Sequence, residues 1–180
     1  MFLRVISGKY KGLVLDGFNI DGTRPTMDRV KESMFGMIQN NLSDSVCLDL
    51  FAGSGSLGIE ALSNGAKFCY FVDNSADILK ILKGNLNKIK DKNYSLLSCH
   101  YKKALKKFSD ENVKFDLIFL DPPYKFNLIN DILNYIFEYN LLNDKGLIIC
   151  EFESEDLSCD CFKLYKDKKY GSKKVFIYSK

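Results

Sequence analysis

Two groups of residues in this chain have the types and spacing to do chemistry. The first is Asp49, the run Phe51-Ala52-Gly53-Ser54-Gly55-Ser56-Leu57-Gly58, and a second acid, Asp73, 20 residues past the first glycine. Glycines at G-x-G-x-x-G spacing let a ligand approach bare backbone at a helix N-terminus, and an acid so placed suits ribose hydroxyls. A nicotinamide dinucleotide enzyme carries the same pattern. Asp49 argues against that choice: nicotinamide folds usually place an apolar residue there, and a carboxylate suits the amino group of a ligand's amino-acid moiety. The second group is Asp121-Pro122-Pro123-Tyr124. Two prolines lock the backbone and remove two N–H donors. Asp121 and the Pro122 carbonyl become two acceptors converging on one amino group, which they hold by both protons with its lone pair aimed outward. Tyr124 offers a face for stacking a planar base. Hydride chemistry requires none of this.

Positioning these residues takes an alternation of strands and helices. Val46–Leu50 is an apolar run too short for a helix, and reads as a buried strand feeding a helix over 56–64. The pattern continues as strand 68–73, helix 75–89 broken softly at Gly84, strand 94–98 and basic helix 101–108. Strand 115–120, helix 127–139 and strand 146–152 follow. A hairpin of 161–169 and 173–179, turning near Gly171, closes the chain. Such alternation implies a mostly parallel sheet with helices on both faces, here with an antiparallel C-terminal strand. Before it, 2–6 and 12–15 suggest a small hairpin, and Thr26 reads as the N-cap of a helix through Ile38. The one seam falls near residue 44, dividing an N-terminal extension, 1–43, from the main domain, 44–180.

At 180 residues the chain can bury a substantial core. Its net charge is only +3 but is uneven. Seven lysines and one acid lie between Phe162 and Lys180, Lys102, Lys103, Lys106 and Lys107 form a second cluster, and Arg4, Lys9, Lys11, Arg24, Arg29 and Lys31 load the N-terminal part. Three basic segments in one small domain favour a polyanionic partner. Of the six cysteines, Cys47, Cys69 and Cys150 fall in apolar strands, and Cys159 and Cys161 have no partner pair at zinc spacing. Reduced structural thiols, no bound metal, no membrane span and no signal peptide are expected, hence a cytoplasmic protein.

LDLFAGSGSLGIEAL (Leu48–Leu62), FVDNS (Phe71–Ser75) and FLDPPY (Phe119–Tyr124) resemble the motifs of class I S-adenosylmethionine (SAM) methyltransferases that modify exocyclic amines. With RVISGKYKG (Arg4–Gly12), RPTMDRVKESMF (Arg24–Phe35) and KYGSKKV (Lys169–Val175), the chain resembles the bacterial family that makes N2-methylguanine in 16S rRNA of the small ribosomal subunit. The resemblance covers nearly the whole length. It implies a seven-stranded Rossmann-like fold and a monomer acting on 16S rRNA, within an assembled small-subunit particle. Asp49 and the backbone of Phe51, Ala52, Gly53, Ser54 and Gly55 would cradle the methionine part of SAM, and Asp73 the ribose. Asp121, Pro122 and Tyr124 would hold the target guanine. Arg24, Thr26 and Arg29 would close over cofactor or RNA, and Lys169 and Tyr170 would meet RNA.

The chain departs from the family pattern at Asp73, commonly Glu, and at His100, where Asp or Asn usually reads the cofactor's adenine. A neutral imidazole could still accept from the adenine amine; alternatively His100 sits on the surface and backbone groups bind adenine. Two other functions stay open from the residues: methylation of another exocyclic amine, such as adenine N6 in DNA, and a non-catalytic RNA-binding module.

Overall fold

The computed structural model describes residues 2–17, 26–90, 92–123, 128–153, 157 and 159–180. An antiparallel pair, β1 (Phe2–Arg4) and β2 (Val14–Asp16), precedes α1 (Thr26–Ile38). Then come β3 (Val46–Asp49), α2 (Ser56–Ser63), β4 (Phe68–Asp73), α3 (Ala76–Lys88), β5 (Tyr94–Ser98), α4 (Tyr101–Asp110) and β6 (Phe115–Leu120). The chain ends with α5 (Ile129–Glu138), β7 (Leu142–Phe152), β8 (Lys163–Tyr170) and β9 (Lys173–Ser179). The seven-stranded sheet runs β5-β4-β3-β6-β7-β9-β8. Its first five strands are parallel, and β9 is antiparallel to both neighbours. The expected mostly parallel sheet is therefore observed. Strand order reverses between β3 and β6, the switch point where such sheets bind ligands beyond their carboxyl ends.

Alternation along the central strands sends side chains to two cores. Cys47, Phe71, Phe119, Ile149 and Ile177 face one way, against Met34, Ile59 and Leu82 of α1, α2 and α3. Leu48, Val72, Ile118, Ile148 and Tyr178 face the other way, against α4 and α5. The helices present matching stripes: Tyr101, Ala104, Leu105 and Phe108 on α4, and Ile129, Ile132, Leu133 and Ile136 on α5. Cys47, Cys69 and Cys150 are buried free thiols. Burial pushes the Cys47 thiol up to about 12, which leaves it unreactive.

Three boundaries differ from the expected ones. Helix α3 runs unbroken through Gly84, which is exposed and has open space where a Cβ would stand. Thr26 is the first residue of α1, not a cap outside it. Strand β7 starts at Leu142, ahead of the turn-like Asn143-Asp144-Lys145-Gly146, because Leu142 pairs with Phe115 through a shift in register.

The segment before residue 44 shares the first core. Val5 and Leu15 are buried in it with Val30, Met34 and Ile38. Buried polar groups fasten it further. Glu60, fully buried on α2, accepts from the N–H groups of Ile6 and Ser7 at 2.9 and 2.8 Å. Lys31 of α1, 7 % exposed, reaches Glu60 at 3.0 Å and donates to the Arg4 carbonyl and to Ser56 Oγ. Lys31 therefore does not belong to the basic surface the composition suggests. Asn85 accepts from Asp16 N–H and donates to the carbonyls of Asp16 and Ser54.

Candidate active site

Strand β3 ends at Asp49, and the chain turns from Leu50 to Gly55 before α2 begins. The turn hangs on its neighbours: Leu50 N–H donates to Phe119 O on β6, and Ala52 N–H to Val72 O on β4. Gly53 and Gly55 both take positive φ, 54° and 82°. The φ of Gly55 favours glycine there, and a Cβ would also crowd Leu82 Cδ1 of α3 at 2.5 Å. Gly58 serves a different purpose. It lies inside α2, where a Cβ would meet the Phe71 ring at 2.3 Å, so it lets the helix lie on β4.

The two acids flanking this turn are held by main-chain donors. Asp73 accepts from Gly53 N–H at 3.1 Å with one oxygen and from Ser75 N–H at 3.0 Å with the other. Each oxygen keeps a second lone pair for a hydroxyl donor. Asp49 is 2 % exposed and accepts from Gly58 N–H at 2.9 Å. Burial raises its pKa to about 7, with Asp73's charge adding to the rise and the Gly58 N–H opposing it. A buried carboxylate of this kind gains from a cationic partner. Bare glycine backbone, a carboxylate seeking a cation and an acid with spare lone pairs together fit an amino-acid-bearing nucleoside.

An aromatic cluster lies beside the turn, packed against the second core. The rings of Phe51 and Tyr101 lie 5.5 Å apart, and His100 lies on Tyr101 at 4.4 Å. Tyr101, the first residue of α4, is buried in the second core. His100 stands in the expected loop, exposed, as the N-cap of α4. Its Nδ1 accepts from Lys102 N–H at 3.3 Å. A neutral imidazole has one acceptor nitrogen, so the acceptor expected to read adenine is engaged in capping the helix.

Beyond β6 come Asp121, half-buried, and Pro122, buried. Register sets their neighbours. Phe71, Asp49, Phe119 and Ile149 align across β4, β3, β6 and β7. Two residues further, on the same face, the alternation brings Asp73, Asp121 and Glu151, with Val175 of β9 opposite Glu151. Lys173, two residues before Val175, shares that face and pairs with Glu151. The two side chains are 18 % and 10 % exposed. Burial opposes the Lys173 charge, but the carboxylates of Glu151, Asp121 and Glu153 outweigh it, and its pKa is raised. Neither Glu151 nor Lys173 was singled out as a site residue, because their meeting depends on the pairing of β7 with β9.

The remaining site candidates divide. Arg24 and Tyr124 lie outside the described residues, as does the Thr26 side chain. Arg29 is exposed on the first turn of α1. Lys169 is exposed at the tip of the β8–β9 hairpin, at the same edge as Asp121, on the face away from α1 and opposite Lys174. Tyr170 is turned inward: its hydroxyl bonds Ser33 of α1, beside the Lys168 ammonium on the same Ser33, so it packs the hairpin to α1 and does not offer that hydroxyl to RNA. The α4 cluster is also less basic than it reads, since Lys106 and Lys107 pair with Asp110 and Glu111. No helix among the described residues is long and apolar enough to cross a membrane.

A family model described as Conserved hypothetical protein 95 matches residues 3–179. YlbH of Bacillus subtilis strain 168 is 40 % identical over 182 residues, covering 99 % of both chains. Ribosomal RNA small subunit methyltransferase D of Haemophilus influenzae is 36 % identical over 185 residues, covering 98 % of this chain and 93 % of that one. The solved structure of yhhF from Escherichia coli superposes with a TM-score of 0.86 at 30 % identity, covering 99 % and 97 %.

Proposed function

We propose, from the premise that the chain belongs to the Conserved hypothetical protein 95 family of SAM-dependent methyltransferases, that it methylates the exocyclic N2 of a guanine in 16S rRNA. Methylation of ribosomal RNA with SAM as cofactor is the broader activity its relatives indicate. The observation that carries the narrower reading is the position of Asp121-Pro122 one strand from Asp49 and the Gly53–Gly55 turn, at the sheet's switch point.

SAM supplies an electrophilic methyl group when bound. Asp49 would hold its ammonium, the backbone from Phe51 to Gly55 its methionine part, and Asp73 its ribose hydroxyls. Asp121 and the Pro122 carbonyl would accept from the two N–H bonds of the target amine. They favour an amine that is losing planarity and gaining positive charge over the planar, delocalised one. Holding the amine in line accounts for further rate by proximity. The proton then leaves to Asp121 or to solvent.

A base must leave its stack to reach this edge, which unpaired loops permit at least cost. Arg29, Lys168 and Lys169 offer charge to the flanking phosphates. The basic segments are short, so shape recognition within an assembled small-subunit particle suits them better than sequence reading. The test is mass mapping of 16S rRNA from cells with and without the gene, followed by methylation of the unmodified subunit with labelled SAM. Loss and restoration of one N2-methylguanine is expected. A label on adenine, or on no RNA, overturns the reading.

A further inference from the structure

Lys173 stands apart from the other lysines of the closing hairpin. Lys169 is exposed and lies on the opposite face from α1. Lys173 lies on the α1 face, mostly buried, paired with Glu151 and within the field of Asp121. A buried ion pair is weak support for a fold, because desolvation offsets most of the attraction. Its position is more informative. Glu151 follows Cys150, the partner of Leu120, so it stands one strand over from Asp121 at the same level.

Guanine's 2-amino group and 6-carbonyl flank one ring nitrogen, roughly as far apart as neighbouring strands, ~4.8 Å. A base that offers its amine to the end of β6 with its N1 edge toward β7 brings its carbonyl to the end of β7. We propose that Lys173, held there by Glu151, donates a hydrogen bond to the 6-carbonyl of the guanine whose amine Asp121 accepts. The assignment rests on the guanine-N2 reading and makes Lys173 its specificity residue. A purine with an amino group at that position sets donor against donor, a mismatch that pockets reject strongly.

The test replaces the mapped guanine in a ligated 16S rRNA with 2-aminopurine, which keeps the 2-amino group and lacks the 6-oxygen. Wild type should methylate both, with kcat/KM about 10- to 100-fold lower on 2-aminopurine, the worth of one charge-assisted hydrogen bond. Lys173→Met should lose the same factor on guanine and nothing more on 2-aminopurine. Because Lys173→Met leaves Glu151 buried beside other acids, Lys173→Met/Glu151→Gln is measured alongside and should behave alike. SAM titration and melting curves should show the cofactor site intact. Equal losses on both substrates, or a flattened salt dependence of RNA binding with the substrate preference unchanged, would make Lys173 a structural or phosphate contact and overturn the proposal alone. Failure of wild type to methylate the guanine would overturn the guanine-N2 reading as well.

Discussion

The two halves of the sheet's carboxyl edge are built by opposite means. The half at β3 and β4 comes from one continuous stretch, residues 49–75, and main-chain N–H groups satisfy its acids: Gly58 on Asp49, Gly53 and Ser75 on Asp73. The half at β6, β7 and β9 gathers Asp121, Glu151 and Lys173 from the ends of three strands and holds them by side-chain charge. A half wired through backbone resists change, because its donors have no side chain to substitute. A half wired through side chains can be altered one residue at a time.

That division is tested most sharply by Asp121→Ala. Turnover should fall ~10²–10³-fold, as for loss of one preorganised polar group, while SAM affinity by calorimetry stays within about twofold. Tenfold weaker SAM binding with most of the rate retained would erase the boundary between the halves.

Asp49→Asn addresses the other side. Folding raises the Asp49 pKa from 3.8 to about 7. The stability gained from its protonated form is full below the unfolded value and is lost as pH rises through 7. Ligand-free wild type should therefore melt progressively lower between pH 5 and 8 than Asp49→Asn does. The cofactor's ammonium favours the ionised carboxylate, so wild-type SAM affinity should rise from pH 5.5 to 7.5. In Asp49→Asn it should be about 10- to 100-fold weaker at pH 7.5, the worth of a charge-assisted bond, and flat with pH. Parallel pH curves would remove Asp49 from the ammonium.

Smaller effects mark the outskirts of each half. Lys169→Ala with Lys174→Ala should weaken RNA binding and lower its log–log salt slope by about 0.7–0.9 per lost phosphate contact. An unchanged slope would leave the hairpin a solvated face. His100→Ala should cost about 1 kcal/mol of stability as a lost helix cap and change SAM affinity less than about threefold. A tenfold loss would return the ring to the adenine.

What could be read from the sequence follows the same division. The β3-turn-α2 unit and Asp73 were legible because strand, glycine turn and helix are contiguous, and a turn's chemistry is local. Asp121-Pro122 was legible because proline fixes its own backbone. Glu151 and Lys173 were not, since only the register of β6, β7 and β9 brings them together. Glu60 left a trace, a lone acid in the apolar helix Leu57–Leu62, but its partners Ile6, Ser7 and Lys31 lie far away in the chain. His100 was placed correctly in its loop, while its hydrogen-bond partner, Lys102 N–H, depended on how α4 begins.

The buried Glu60 also imposes an order in time. Its donors Ile6 and Ser7 precede it by 54 and 53 residues. At roughly 5–20 residues per second of synthesis, those donors wait on the order of several seconds for their acceptor to be made. Lys31, made between them, has to wait for Glu60 as well. The bonds that fasten the hairpin and α1 to Glu60 therefore cannot form before α2 is made. Since Lys31 then also grips Ser56, the first residue of α2, the same event that anchors the amino-terminal segment settles the helix beneath the Gly53–Gly55 turn.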